Sequence, residues 1–161
     1  MMGGDRMKKL VVMSDNHGLD MMMKYIKELE PHADYYVHCG DSEASREDLL
    51  KGYICVRGNN DWGIDLPNEA RLDVEDIHIL ITHGQYFGFF NRELAMNDLL
   101  TRNQCQVLLC GHTHMPMFER DGDYYYINPG STTLPRGGSQ PSYAVITIDG
   151  KNVNCEFKII K

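Results

Sequence analysis

Five short blocks of ligand-type residues punctuate the chain: Asp15-Asn16-His17, Gly40-Asp41, Gly58-Asn59-Asn60-Asp61, Thr82-His83-Gly84 and Gly111-His112-Thr113-His114. Each follows an apolar run. Together, Asp15, His17, Asp41, Asn59, His83, His112 and His114 offer the oxygen and imidazole donors that two adjacent divalent ions need. Paired ions of this kind serve phosphoester hydrolysis. Alternate side chains of an extended loop face one way, so Asp15 and His17 can meet the same ion. His112 and His114, also alternate, can serve two neighbouring ions, and Asp41 has two oxygens with which to bridge a pair. Singly, each block has an ordinary explanation. Asp15 would cap a helix, Asp41 would turn the chain, Asn59-Asn60-Asp61 is common turn chemistry, and a lone His83 is more often structural. Their joint occurrence at the ends of apolar runs favours one metal centre.

Those runs define the elements that must carry the blocks. Leu10 to Met13, Tyr35 to Cys39, Tyr53 to Val56 and Val107 to Cys110 read as buried strands. From Leu19, apolar residues at Met22, Met23, Ile26 and Leu29 keep helical spacing, with Pro31 just beyond. Ser45 is expected to cap a short helix that stops at Gly52. The order β-α-β-α-β favours a parallel sheet. Ala70 to Val74 and Ile77 to Ile81 read as a hairpin, and Arg92 to Leu100 as a helix. The final third reads as a β-meander: Met117 to Arg120, Tyr124 to Ile127, Tyr143 to Ile148 and Val153 to Ile159. The expected fold is α/β, with two mixed sheets packed as a sandwich and flanked by helices. In open α/β sheets ligands bind beyond the carboxyl ends of strands, which is where all five blocks fall.

Composition sets the bounds. The chain has 161 residues, enough for one domain, expected over residues 8–161 with residues 1–7 outside it and Met7 an alternative start. No run approaches the roughly 18 apolar residues of a membrane span, and the N-terminus lacks the apolar stretch of a signal peptide, so a cytoplasmic location is expected. A net charge of −7 argues against non-specific nucleic-acid or membrane binding, while bound cations would still attract an anionic substrate. The cysteines, Cys39, Cys55, Cys105, Cys110 and Cys155, are odd in number and form no C-x-x-C pair. Cys39, Cys55 and Cys110 read as small buried hydrophobes.

The order D-x-H, G-D, G-N-x-D, T-H-G, G-H-T-H resembles that of the calcineurin-like metallophosphoesterase superfamily, and most of all its small, cap-less bacterial and archaeal phosphodiesterases. His38-Cys39-Gly40-Asp41-Ser42 and Asn128-Pro129-Gly130-Ser131 match that subgroup as well. The resemblance implies a four-layer α/β/β/α domain. It implies one ion at Asp15, His17, Asp41 and His114 and a second at Asp41, Asn59, His83 and His112, with Asp41 bridging. Manganese is the first expectation, with nickel, iron, cobalt or zinc also suited to such donors. A metal-bridged hydroxide would then be the nucleophile on a small phosphodiester.

Two positions depart from the pattern. Many members have His where this chain has Asn60, and Asn cannot act as a general acid. Activated (aryl) phosphodiesters are therefore expected to react better than alkyl monoesters. Asp61 is expected to orient the Asn59-Asn60 turn or a water. Gln85 stands where relatives often have a second His and is read as an edge residue touching substrate. Tyr86, in the segment Tyr86 to Phe90, could stack on a base or aryl group, with core packing the favoured reading of that segment. Arg136 could meet a phosphate or be a solvated loop residue. His38 is expected to be buried, and Asn128 to Ser131 to shape a turn beneath the metal loops. The alternative function is a non-catalytic, protein-binding scaffold of the same fold, like the retromer subunit. A DNA nuclease is disfavoured by the acidic balance, and self-association through an exposed edge is left open.

Overall fold

Residue alternation dictates the layering. The computed structural model describes residues 7–88 and 90–160. In chain order its elements are β1 (Lys8–Met13), α1 (Met21–Leu29), β2 (Tyr35–His38), a 3-10 turn (Glu47–Leu50), β3 (Tyr53–Cys55), β4 (Glu69–Val74) and β5 (Ile77–Thr82). There follow α2 (Arg92–Asn103), β6 (Val107–Leu109), β7 (Pro116–Asp121), β8 (Tyr124–Pro129), β9 (Ser142–Asp149) and β10 (Asn152–Ile159). In β1, Leu10 and Val12 face one side and Val11 and Met13 the other, and all four are fully buried. A strand buried on both faces belongs inside a layered structure.

The first sheet has the order β10-β9-β1-β2-β3 and the second β4-β5-β6-β8-β7. β1, β2 and β3 run parallel, as do β5, β6 and β8, while the remaining pairs are antiparallel. Between the sheets lies one apolar cluster that includes Leu10, Val12 and Ile146 from one side and Ile79, Leu109 and Ile127 from the other. On the outer face of the first sheet, Val11, Met13 and Tyr143 receive Met22, Met23 and Ile26 of α1. On the outer face of the second, Leu80, Leu108 and Tyr126 receive Met96, Leu99 and Leu100 of α2. The result is helix on sheet on sheet on helix, as expected.

Several local expectations change. The final third is not one meander: β7 and β8 form a hairpin in the second sheet, and β9 and β10 a hairpin in the first. The segment between Pro129 and Ser142 carries the chain from one layer to the other, a crossing that strand periodicity does not encode. Ser45 caps nothing. Its hydroxyl donates to Asp20 Oδ2 at 3.1 Å, and the short turn that follows is 3-10 rather than α. Cys39 and Cys110 are buried, Cys55 only partly so, and all five thiols are free. Burial pushes the thiols of Cys39 and Cys110 up, the latter to about 11, which makes them poor nucleophiles. Among the described residues no helix is long and apolar enough to cross a membrane. Residues 1–6 of the expected N-terminal extension lie outside the described residues.

Candidate metal centre

Parallel strands end on the same side, and this gathers the five blocks. Asp15 follows β1, Asp41 follows β2, Asn59 follows β3, His83 follows β5 and His112 follows β6. Backbone hydrogen bonds stitch the loops together. Asp15 donates to the Gly40 carbonyl, His17 to that of Asp41 and Gly111 to that of His83, each at 3.0 Å.

The chain is strained where it does this. Asp15, His17, Asp41, His112 and His114 all have positive φ, between 45° and 72°. That region is unfavourable for residues with a Cβ and costs roughly 1–3 kcal/mol at each position. It persists only where the surroundings over-determine it. Two glycines permit the close approach. A Cβ at Gly58 would lie 2.1 Å from Asp41 Oδ1, and one at Gly111 would lie 2.1 Å from Ser14 Oγ and 2.7 Å from Asp15 Oδ2.

The side chains converge around Asp15, which is fully buried. Its Oδ2 accepts from the Ser14 hydroxyl at 2.6 Å and from the His112 amide at 3.1 Å. Its Oδ1 has no hydrogen-bond partner. That oxygen lies 3.3 Å from His114 Nε2, 3.6 Å from His17 Nε2 and 3.7 Å from His83 Nε2. Asp41 Oδ2 lies 3.3 Å from His83 Nε2 and 3.9 Å from His17 Nε2, between the two sides of the cluster. On the far side, Asn59 Oδ1 is 3.1 Å from His83 Nε2 and 3.2 Å from His112 Nδ1.

Three imidazoles are anchored through Nδ1, which leaves Nε2 pointing inward. His17 Nδ1 meets Glu43 Oε2 at 2.6 Å, His83 Nδ1 donates to the Cys39 carbonyl at 2.8 Å, and His114 Nδ1 donates to the Leu134 carbonyl at 2.7 Å. Anchoring of the second ring nitrogen is what fixes the tautomer of a metal-binding histidine.

Electrostatics point the same way. Burial opposes an ionised Asp15, yet the imidazoles of His114 and His17 hold its carboxyl far below the usual range. Asp41 is likewise lowered against its burial, chiefly by His83. Asp15, against the effect of burial and with help from Glu43, raises His17 to about 9. His83 is raised by Asp41 in spite of burial, whereas burial and the charge of His83 lower His112. Buried carboxylates thus draw protons onto facing imidazoles, and a divalent cation would occupy the same place with greater charge. Asp15, His17 and His114 form one group able to hold an ion, and Asp15, Asp41 and His83 another. The unpartnered buried Oδ1 of Asp15 is what such an ion would satisfy, so the donor set fits divalent cations.

Around this centre other residues act as struts. Asp61 Oδ2 accepts from the amides of Asp41 at 2.9 Å and Gly58 at 2.8 Å, and its Oδ1 from that of Glu43 at 2.8 Å. The Gly58 bond closes the turn that holds Asn59 and Asn60, as expected, and the other two add the Asp41 loop to what Asp61 orients. Asn60 donates from its backbone and its amide to the two oxygens of Asp41, at 2.8 and 3.1 Å. Asn128 Nδ2 donates to the Gly111 carbonyl at 3.0 Å, and the Ser131 hydroxyl to that of Asp15 at 2.7 Å, as expected of a turn beneath the metal loops.

Two residues near the centre carry roles that sequence patterns did not reveal. His38, buried as expected, donates from Nε2 to Asn16 Oδ1 at 2.7 Å and accepts the Gly40 amide on Nδ1 at 3.1 Å. It thereby ties the Asp15 and Asp41 loops together. Glu43 had no motif to mark it, only its position two residues after Asp41.

The edge residues are more open. Tyr86 and Phe90 are exposed while Phe87 packs onto the α2 cluster, so core packing accounts for only part of the aromatic segment. Phe89 lies outside the described residues. Gln85 is half-buried beside Gly84. Arg136 is exposed, and its amide donates to the His114 carbonyl at 3.1 Å, fixing it beside that loop.

Two mixed sheets with a carboxylate–imidazole cluster at their strand ends define the class of metallophosphoesterases. The chain belongs to the calcineurin-like phosphoesterase superfamily, whose domain profile matches residues 7–151. The phosphodiesterase YfcE of Escherichia coli K12 is 32% identical over 171 aligned positions, covering 89% of each protein. A conserved protein of Streptococcus pneumoniae TIGR4, a phosphoesterase by prediction, shares the fold with a TM-score of 0.87 at 28% identity, covering 95% of this chain and 90% of that one. Vps29 of Cryptosporidium parvum, with a TM-score of 0.76 at 16% identity and coverage of 96% and 98%, is alike in fold alone.

Proposed function

We propose that this protein is a metal-dependent phosphodiesterase acting on small or activated phosphodiesters. The observation that carries the reading is Asp15 Oδ1, buried and without a hydrogen-bond partner, with the Nε2 atoms of three histidines within 3.7 Å. Such an oxygen is costly to bury unless something cationic satisfies it. One ion would be held by Asp15, His17, Asp41 and His114, and the other by Asp41, Asn59, His83 and His112. The position of Asp41 between His17 and His83 supports its bridging role. When bound, the ions would supply Lewis acidity toward the phosphoryl oxygens and a water acidified enough to be nucleophilic near neutral pH. Manganese is our first choice, and iron, cobalt, nickel and zinc suit the same donors. The name of YfcE supports diesters as the substrate class.

The chain's own residues shape selectivity. Asn60 donates to Asp41 and has no proton to give a departing alkoxide. General-acid help is worth about 10²–10⁴-fold, so this site should favour leaving groups that depart unprotonated, such as phenolates. Contacts with the rest of the substrate are assigned to Gln85 and Tyr86, which follow His83 closely in the chain, and to Arg136, whose amide is bonded to the His114 carbonyl.

The test is direct. After treatment with a chelator, the protein should hydrolyse an aryl phosphodiester only when Mn²⁺ or another transition metal is restored. Alkyl monoesters should react far more slowly. Absence of turnover with every transition metal would overturn the reading and favour a protein-binding scaffold, as the likeness to Vps29 would then suggest.

A further inference from the structure

We infer that Glu43 is a positioning residue for the cation held at Asp15, His17 and His114, and that its carboxylate governs how tightly that cation binds. The inference rests on the metal-dependent reading above. Glu43 Oε2 accepts from His17 Nδ1 at 2.6 Å. With Nδ1 engaged, His17 Nε2 faces inward, 3.6 Å from Asp15 Oδ1 and 3.1 Å from His114 Nε2. His83 and His114 are also held through Nδ1, but by the neutral carbonyls of Cys39 and Leu134. Of these three inward-facing rings, only that of His17 is backed by a carboxylate. An anion behind an imidazole fixes its orientation and makes its other nitrogen a better donor.

Glu43 is placed for this task at a cost. Its backbone has φ 49°, a conformation that L side chains rarely adopt. Asp61 stabilises it by accepting the Glu43 amide on Oδ1 and the Asp41 amide on Oδ2, at 2.8 and 2.9 Å. One buried carboxylate therefore fixes both ends of Asp41-Ser42-Glu43. This aims Asp41 at the centre and Glu43 at the back of His17. The Glu43 side chain is 37% exposed and belongs to none of the three apolar clusters. Its contact with His17 is what the strained turn achieves.

The experiment compares metal affinities, not rates. Wild-type protein, Glu43→Ala, Glu43→Gln and Asp98→Ala are stripped of metal and titrated with Mn²⁺ against a fluorescent chelator. Asp98 is an exposed helix carboxylate paired with Arg102 and controls for a general loss of negative charge. Glu43→Ala is expected to lose about 10–100-fold in affinity for one of two ions, with the other unchanged. Glu43→Gln, whose amide oxygen can still accept from Nδ1, should fall between Glu43→Ala and wild type. Asp98→Ala should match wild type in affinity, and metal-free Glu43→Ala should melt within about 4 °C of metal-free wild type, since only one partly exposed pair is lost. Wild-type affinity at both sites in Glu43→Ala would overturn the inference. So would an equal loss at both sites accompanied by a larger drop in metal-free melting temperature, which would mean a loosened loop. Wild-type protein that takes up no divalent ion would instead sink the metal-dependent reading, and this inference with it.

Discussion

Between its two sheets this molecule is regular and apolar, whereas at the edge where the parallel strands end it is polar, buried and strained. Leu10, Val12, Ile79, Leu109 and Ile146 meet in extended backbone within one apolar cluster. A few residues further along the same strands, Asp15, Asp41, His83 and His114 are as deeply buried, and all of these but His83 have positive φ. The first region gains free energy from every contact, since removal of apolar surface from water is worth about 25 cal/mol per Å². The second spends part of that gain on holding like-charged carboxylates together and histidine nitrogens inward. Stability and function are thus carried by neighbouring stretches of the same strands, and substitutions should pull them apart.

The largest effect should come from Asp41→Asn. Loss of the carboxylate between His17 and His83 removes several kcal/mol of charge stabilisation, a fall of about 10³-fold or more in turnover of an aryl phosphodiester. The metal-free variant should melt somewhat lower than wild type, because His83 and two hydrogen bonds from Asn60 favour the ionised Asp41, but should lose less stability than a core truncation. Full activity in Asp41→Asn would break the assignment. The converse substitution is Ile146→Ala, in the core and remote from the ligands. It should cost about 2–5 kcal/mol in chemical denaturation while leaving turnover per folded molecule intact.

A smaller effect should appear with pH. Burial lowers His38 to about 4, so the native state holds it neutral. In the unfolded chain it titrates near its ordinary value of about 6.5. As pH falls through that window the unfolded chain takes up a proton that the native state does not. Stability should therefore decline by up to about 1.4 kcal/mol per pH unit between roughly 6.5 and 4, then level off. Above the window His38 contributes no pH dependence. His38→Gln, which keeps an N–H for Asn16, should flatten this part of the metal-free stability profile relative to wild type. Parallel profiles would show that His38 does not titrate as described.

Much of the fold was legible because apolar alternation reports layering: Leu10 and Val12 against Val11 and Met13 already require a strand covered on both faces. The seven proposed ligands were legible because each sits just past such a run, where a parallel sheet delivers them to one edge. Contacts between distant segments were not. Ser131 reaches Asp15 across 116 positions, and the crossing from β8 to β9 obeys packing, not periodicity. Glu43 and Asp61 act through backbone amides and a single imidazole, partners that leave no mark on spacing. Tyr86 illustrates the opposite limit, since an aromatic segment reads as core and only the folded chain leaves this ring in solvent.

Every role assigned above depends on the proposed enclosure of two divalent ions by Asp15, His17, Asp41, Asn59, His83, His112 and His114. Anomalous diffraction from crystals grown with Mn²⁺ would locate them. Two adjacent peaks are expected, one beside Asp15, His17 and His114 and one beside Asn59, His83 and His112, with Asp41 reaching both. A map with no peak among these side chains would contradict the account.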